Sequence, residues 1–123
     1  MGRGTTGALG DRAEQLAHEF LLDQGLRPVA RNFRSRGGEI DLIMLDGETL
    51  VFAEVRFRKH DTWGGGSHSV TRAKQQRIIR AARRFLACHP DRFQQTCRFD
   101  VISIGLQEGR TMFDWIQNAF ETD

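Results

Sequence analysis

The chain has 123 residues, 39% hydrophobic and 28% charged, with a formal net charge of +2 at pH 7. That length specifies one domain able to bury a core without disulfides or metals, and no apolar run approaches the roughly 18 residues of a membrane span. The charge is segregated: residues 56–84 hold nine Lys or Arg and one acid, Asp61, for a local +8 that leaves −6 elsewhere, a pattern that either attracts a polyanion or solvates a helix face.

Residues 1–9, rich in Gly and Thr, read as a flexible tail and not as a secretory signal. Residues 10–120 read as a single domain. Cys88 and Cys97 suggest free thiols in a reducing cytoplasm. With His89 they match no structural zinc spacing and lack a fourth ligand.

A first helix is expected over residues 10–24. Asp11 offers an N-cap, Ala13, Leu16, Ala17, Phe20 and Leu21 recur at helical spacing, and Gly25 stops it. Residues 28–35 read as an edge strand because of Pro28 and its arginines. A Gly37-Gly38 turn leads to a second strand over 39–45 and a third over 49–58, joined by an Asp46-Gly47 hairpin. Ile40, Leu42 and Met44 face one side of the second strand and Ile43 and Leu45 the other, so it is covered on both faces.

Residues 59–69 form a polar glycine-rich loop. A second helix spans 70–88, with Val70, Ala73, Ile78, Ala81, Ala82, Phe85 and Leu86 on its apolar side and Pro90 ending it. Residues 97–105 are a fourth strand and 111–116 a fifth, followed by a helical turn near 118–120.

Two acids interrupt apolar strands, Asp41 between Ile40 and Leu42, and Glu54 between Ala53 and Val55. Burying one ionised carboxylate is costly. Two at about 4 Å repel by roughly 1 kcal/mol in water and roughly 4 at an effective dielectric of 20. A two-residue Asp46-Gly47 turn sets Asp41 against Phe52, with Glu54 its diagonal neighbour. A four-residue turn sets the two acids directly opposite, and a three-residue turn separates them to opposite faces. Arg56 projects from the same face as Glu54.

One reading is a hard divalent ion, Mg²⁺ or Mn²⁺, held by Asp41, Glu54 and the Val55 carbonyl. The metal would activate a water, and Arg56 would stabilise charge developing on a phosphate. Those parts describe phosphodiester hydrolysis. The other reading is structural, with Asp41 paired to an arginine of a neighbouring strand and Glu54 to Arg56 or Arg34. Arg58, Lys59, Arg72, Lys74 and Arg77 are candidate phosphate contacts on nucleic acid, DNA ahead of RNA. Lys74 lies near the apolar side of its helix and points to the cleft. Asp100 reads as a structural acid that caps a turn or pairs with Arg98. Trp63 in the loop is a candidate base-stacking residue, with folding back onto the protein favoured; loop His60 and His68 read as solvated. Trp115 belongs to the core or to a dimer contact.

Gly-Glu-Ile-Asp-Leu-Ile (38–43), Phe-Ala-Glu-Val-Arg (52–56), the helix with Lys74, Arg-Phe-Asp-Val-Ile (98–102) and the Gly10, Glu14, Ala17 pattern together resemble the YraN-type family of predicted bacterial endonucleases, which is related to Holliday junction resolvases. The resemblance implies an α/β restriction-endonuclease-like fold of the PD-(D/E)xK type, a central mixed sheet of about five strands flanked by helices. It implies Asp41 and Glu54 as the two motif acids and Glu14 as an extra acid from the first helix. Arg56 stands where that signature usually has lysine, and arginine cannot act as a general base. The resemblance therefore implies a cytoplasmic Mg²⁺- or Mn²⁺-dependent endonuclease, by analogy a homodimer, or a nucleic-acid-binding protein that kept the fold without efficient catalysis.

Overall fold

The computed structural model describes residues 7–58 and 70–122, with side chains from Gly10 onward. Helix α1 (Gly7–Asp23) buries Ala13, Ala17 and Leu21, spaced four residues apart on one stripe. It starts three residues inside the expected tail, so Asp11 lies within the helix and is not its cap. The far end closes as expected. Gly25 adopts φ +98°, Leu26 N–H donates to the Leu21 carbonyl, and Gly25 N–H donates to the Leu22 carbonyl, the paired bonds of a Schellman cap.

Strands β1 (Arg27–Ser35), β2 (Gly38–Asp46), β3 (Thr49–Arg58), β4 (Cys97–Gln107) and β5 (Arg110–Phe120) form one sheet in sequence order. All neighbours are antiparallel except β3 and β4, which are parallel. A parallel pair needs a crossover, and α2 (Arg72–Cys88) supplies it. The result is a mixed five-stranded sheet flanked by two helices, consistent with a restriction-endonuclease-like fold.

The strand period of two sends β3 to both faces. Val51 and Ala53 join Leu42, Met44, Ile102 and Ile104 under α1. Leu50 and Phe52 join Ile43, Phe99 and Val101 under Ile78, Ile79 and Phe85 of α2. Ile40 departs from its expected face: it packs in the α2 cluster with Ile43, apart from Leu42 and Met44. The alternation of β2 therefore breaks at Asp41.

Thr71 caps α2, accepting the Lys74 N–H at 3.2 Å, so the helix begins two residues later than expected. Its buried stripe starts at Ile78 and includes Ile79; Ala73 is exposed, because the first turn stands clear of the apolar sheet. Pro90 opens a single 3₁₀ turn (Pro90–Arg92) after the helix ends.

The expected helical turn at 118–120 is instead the end of β5. The ladder to β4 shifts register between Phe99 and Val101, and Asn118 takes φ +54°. Its N–H donates to Asp100 Oδ1 at 2.9 Å, so a bulge, not a helical turn, absorbs the local backbone signal. No helix among the described residues is long and apolar enough to cross a membrane.

Candidate metal centre

Turn chemistry decides how the two strand acids meet. Asp46 pairs with Thr49 and Leu45 with Leu50, so the loop is Gly47-Glu48 and not Asp46-Gly47. Of those two residues only Gly47 has positive φ, +62°, the pattern of a hairpin with glycine first. This displaces the pairing by two residues from the expected register. The ladder's last pair is Leu42 with Ala53; one step further, Asp41 stands opposite Glu54 instead of diagonal to it.

Main-chain pairing stops there and the Asp41 side chain takes over. Asp41 Oδ2 accepts the Val55 N–H at 2.9 Å. In an extended strand a residue's N–H and C=O leave on the same edge, so the Val55 carbonyl also faces Asp41. Glu54 continues the face of Leu50 and Phe52 toward α2. There its Oε2 meets Lys74 Nζ at 3.0 Å, with the carboxylate side chain only 9% exposed and the lysine 48%.

Burial first, and then repulsion from Glu54, push the Asp41 carboxyl up to about 7 from the ordinary 3.8. The Val55 N–H and the more distant Lys74 oppose that rise, and Glu39 adds to it. Asp41 is thus poised near neutrality, where a proton and a divalent cation compete for the same oxygens. No arginine is among the groups acting on it. Arg34 bridges Glu39 at 3.3 Å, and Glu54 takes Lys74 as a partner that neither arginine pairing had included. Oxygen donors from adjacent strands, one tied down by a backbone amide, fit a hard cation such as Mg²⁺ or Mn²⁺.

The profile of the Uncharacterised protein family UPF0102 matches residues 13–104, from α1 through most of β4. The chain belongs to the UPF0102 family. Its UPF0102 relatives include proteins of Alcanivorax borkumensis, 50% identical over 93% of this chain and 92% of its own length, and of Aeromonas hydrophila, 54% identical over 90% and 83%. A third, from Stutzerimonas stutzeri, is 49% identical over 92% of this chain and 94% of its own. None of these names states an activity.

Of the other expected site residues in this UPF0102 chain, Glu14 is buried on α1, at 4% exposure. It is not among the groups acting on Asp41, and no three metal-ligating side chains cluster among the described residues. Arg56 is half-buried, opposite Ser103 of β4, and Arg58 follows it opposite Gly105. Arg72 and Arg77 are exposed on α2. Lys59, His60, Trp63 and His68 lie outside the described residues.

Asp100 has the expected structural role. It accepts from Arg98 at 3.0 and 3.2 Å, from Trp115 Nε1 at 2.9 Å and from Asn118. The first two of those residues flank it and the third holds the β5 bulge. Trp115 also meets the Phe20 ring edge-on at 6.0 Å, a packing role. What sequence reasoning missed is the Lys74–Glu54 pair. Its signal was present in Thr71, whose cap places Lys74 in the first turn of α2.

Proposed function

We propose that this UPF0102 protein is a metal-dependent endonuclease-like protein that hydrolyses phosphodiester bonds in DNA or RNA, with branched or single-stranded DNA the favoured class. The observation that carries this is Asp41 facing Glu54 across β2 and β3, with Asp41 driven toward protonation first by burial and then by its neighbour. Evolution of a soluble core disfavours such a pair unless a cation reverses the repulsion. Asp41, Glu54 and the Val55 carbonyl would hold Mg²⁺ or Mn²⁺. When bound, such an ion polarises a phosphoryl oxygen and lowers the pKa of an attacking water.

The chain's own groups then have distinct work. The Val55 N–H holds Asp41 in place. Lys74 orients Glu54 and is the cation beside the acids that can also give up a proton, which Arg56 cannot. Arg56 acts by charge alone, on negative charge that builds on the phosphate. The relation to Holliday junction resolvases, a cytoplasmic location and a homodimer belong to the same proposal.

The test is nicking of a panel of branched, single-stranded and duplex DNA with Mn²⁺, comparing wild type with Asp41→Ala. Equal cleavage by both would place the activity elsewhere or in a contaminant. A second reading, nucleic-acid binding without efficient catalysis, is favoured by Arg56 in the lysine position. It expects salt-sensitive binding that persists in Asp41→Ala and no cleavage by wild type, with Arg56→Lys gaining activity.

A further inference from the structure

The β1–β2 hairpin rests directly on α2. A Cβ at Gly38 would overlap the Arg77 carbonyl oxygen, so only glycine lets the two backbones come this close. Gly37, at φ +91°, presents its carbonyl to Arg80 Nε at 3.3 Å. The contact fixes an open cleft of about 450 Å³ between hairpin and helix, lined by Arg34, Ser35, Glu39, Arg77 and Arg80 with the two glycines.

Charge in this cleft is unbalanced. Its single acid, Glu39, is already engaged by Arg34. Among the described residues no acid lies within ion-pair distance of Arg77 or Arg80, and both are exposed. Arg80 Nε reaches the Gly37 carbonyl and Arg77 lines the same cleft, so two arginines, each with a planar fork suited to phosphate oxygens, flank the turn.

Two routes give the cleft's distance from the acid pair. Along β2, Glu39 precedes Asp41 by two residues, about 7 Å at strand rise. Along α2, Arg77 and Arg80 follow Lys74 by three and six residues, about 4.5 and 9 Å at helical rise. A nucleic-acid strand advances about 3.4 Å per phosphate along a duplex axis, so the cleft lies about one to three nucleotides from Glu54.

We infer that the Arg77–Arg80 cleft against the Gly37-Gly38 turn is a phosphate subsite, which grips the backbone of a nucleic-acid strand about one to three nucleotides from the bond held at Asp41 and Glu54. This rests on the nuclease reading for its register and deepens it by giving the strand a path: from the acid pair along the Lys74–Arg77–Arg80 flank of α2 to the β1–β2 hairpin. The sequence grouped Arg80 only loosely with the arginines adjacent to Arg77; the fold brings the hairpin beneath it.

The test is fluorescence-anisotropy binding of a fluorescein-labelled single-stranded DNA oligonucleotide in EDTA over a salt series. The proteins compared are wild type, Arg77→Gln/Arg80→Gln, and the charge-matched Arg83→Gln/Arg110→Gln. Circular dichroism checks each fold, and single Arg77→Gln replaces the double variant if that unfolds. Loss of two phosphate contacts lowers the slope of log K against log salt by about 1.4 and weakens low-salt binding at least about tenfold, while the control keeps the wild-type slope. Equal losses in variant and control, or no loss in the variant, overturn the subsite. Calorimetry with Mn²⁺ reads the acid pair separately. Absent Mn²⁺ binding with a lowered slope sinks the nuclease reading and keeps the subsite; Mn²⁺ binding with an unchanged slope does the reverse.

Discussion

Asparagine at position 41 keeps an oxygen for the Val55 N–H while removing the charge that Glu54 repels, and its amide N–H₂ can donate toward that carboxylate. Wild-type Asp41 binds its proton more tightly in the folded chain, at about 7, than at the ordinary 3.8. Its contribution to stability is therefore fully present below about pH 4, is lost as pH rises through about 7, and is level above that. At about 1.36 kcal/mol per tenfold change, the full difference is roughly 4 kcal/mol. Asp41 is only half-buried, and solvent screening brings the expected figure to about 2 kcal/mol. Asp41→Asn is then more stable than wild type by about 2 kcal/mol at pH 8 in EDTA, or about 6–8 °C in Tm for a domain of this size. The gain shrinks to about half at pH 4.5. Urea and thermal unfolding at the two pH values measure it. Saturating Mn²⁺ reverses the order, stabilising wild type by about 2.7 kcal/mol at one hundred times Kd and leaving Asp41→Asn unmoved. A variant no more stable than wild type at pH 8, or a difference independent of pH, would refute the claim that burial and Glu54 together oppose the ionised form of Asp41.

Lys74→Met removes the ammonium that pairs with Glu54 and opposes the rise of the Asp41 carboxyl. Mn²⁺ affinity by calorimetry above pH 7 should rise, because that ammonium repels the ion and competes with it for the Glu54 oxygen, while unfolding changes by no more than about 1 kcal/mol because the lysine is half-exposed. Asp100→Ala leaves Arg98 Nε, the Trp115 N–H and the Asn118 N–H without their acceptor, while Arg98 keeps its ion pair with Asp46; the loss should be about 2–3 kcal/mol in denaturant unfolding. Gly38→Ala forces the hairpin off the Arg77 carbonyl, with an expected loss of at least about 2 kcal/mol by thermal unfolding.

Local periodicity made most elements legible. The strand from Thr49 to Arg58 follows an apolar run that two-faced burial demands, and Gly25 ends α1 because its positive φ is local backbone chemistry. Asp100 was readable as structural from the arginine two residues before it. The β5 bulge was not readable: what selects Asn118's left-handed backbone is a carboxylate eighteen residues away.

The sequence alone determined that two carboxylates interrupt apolar strands and that a basic helix follows them, since side-chain alternation and helical spacing are properties of a short stretch of backbone. The tertiary structure alone decided that Gly47-Glu48 forms the turn, so that Asp41 faces Glu54. It also decided that Lys74 meets Glu54, and that the Arg77 carbonyl and Arg80 side chain meet the hairpin glycines. Those outcomes depend on register and on which surfaces meet across the sheet, and both are settled by packing the whole chain at once.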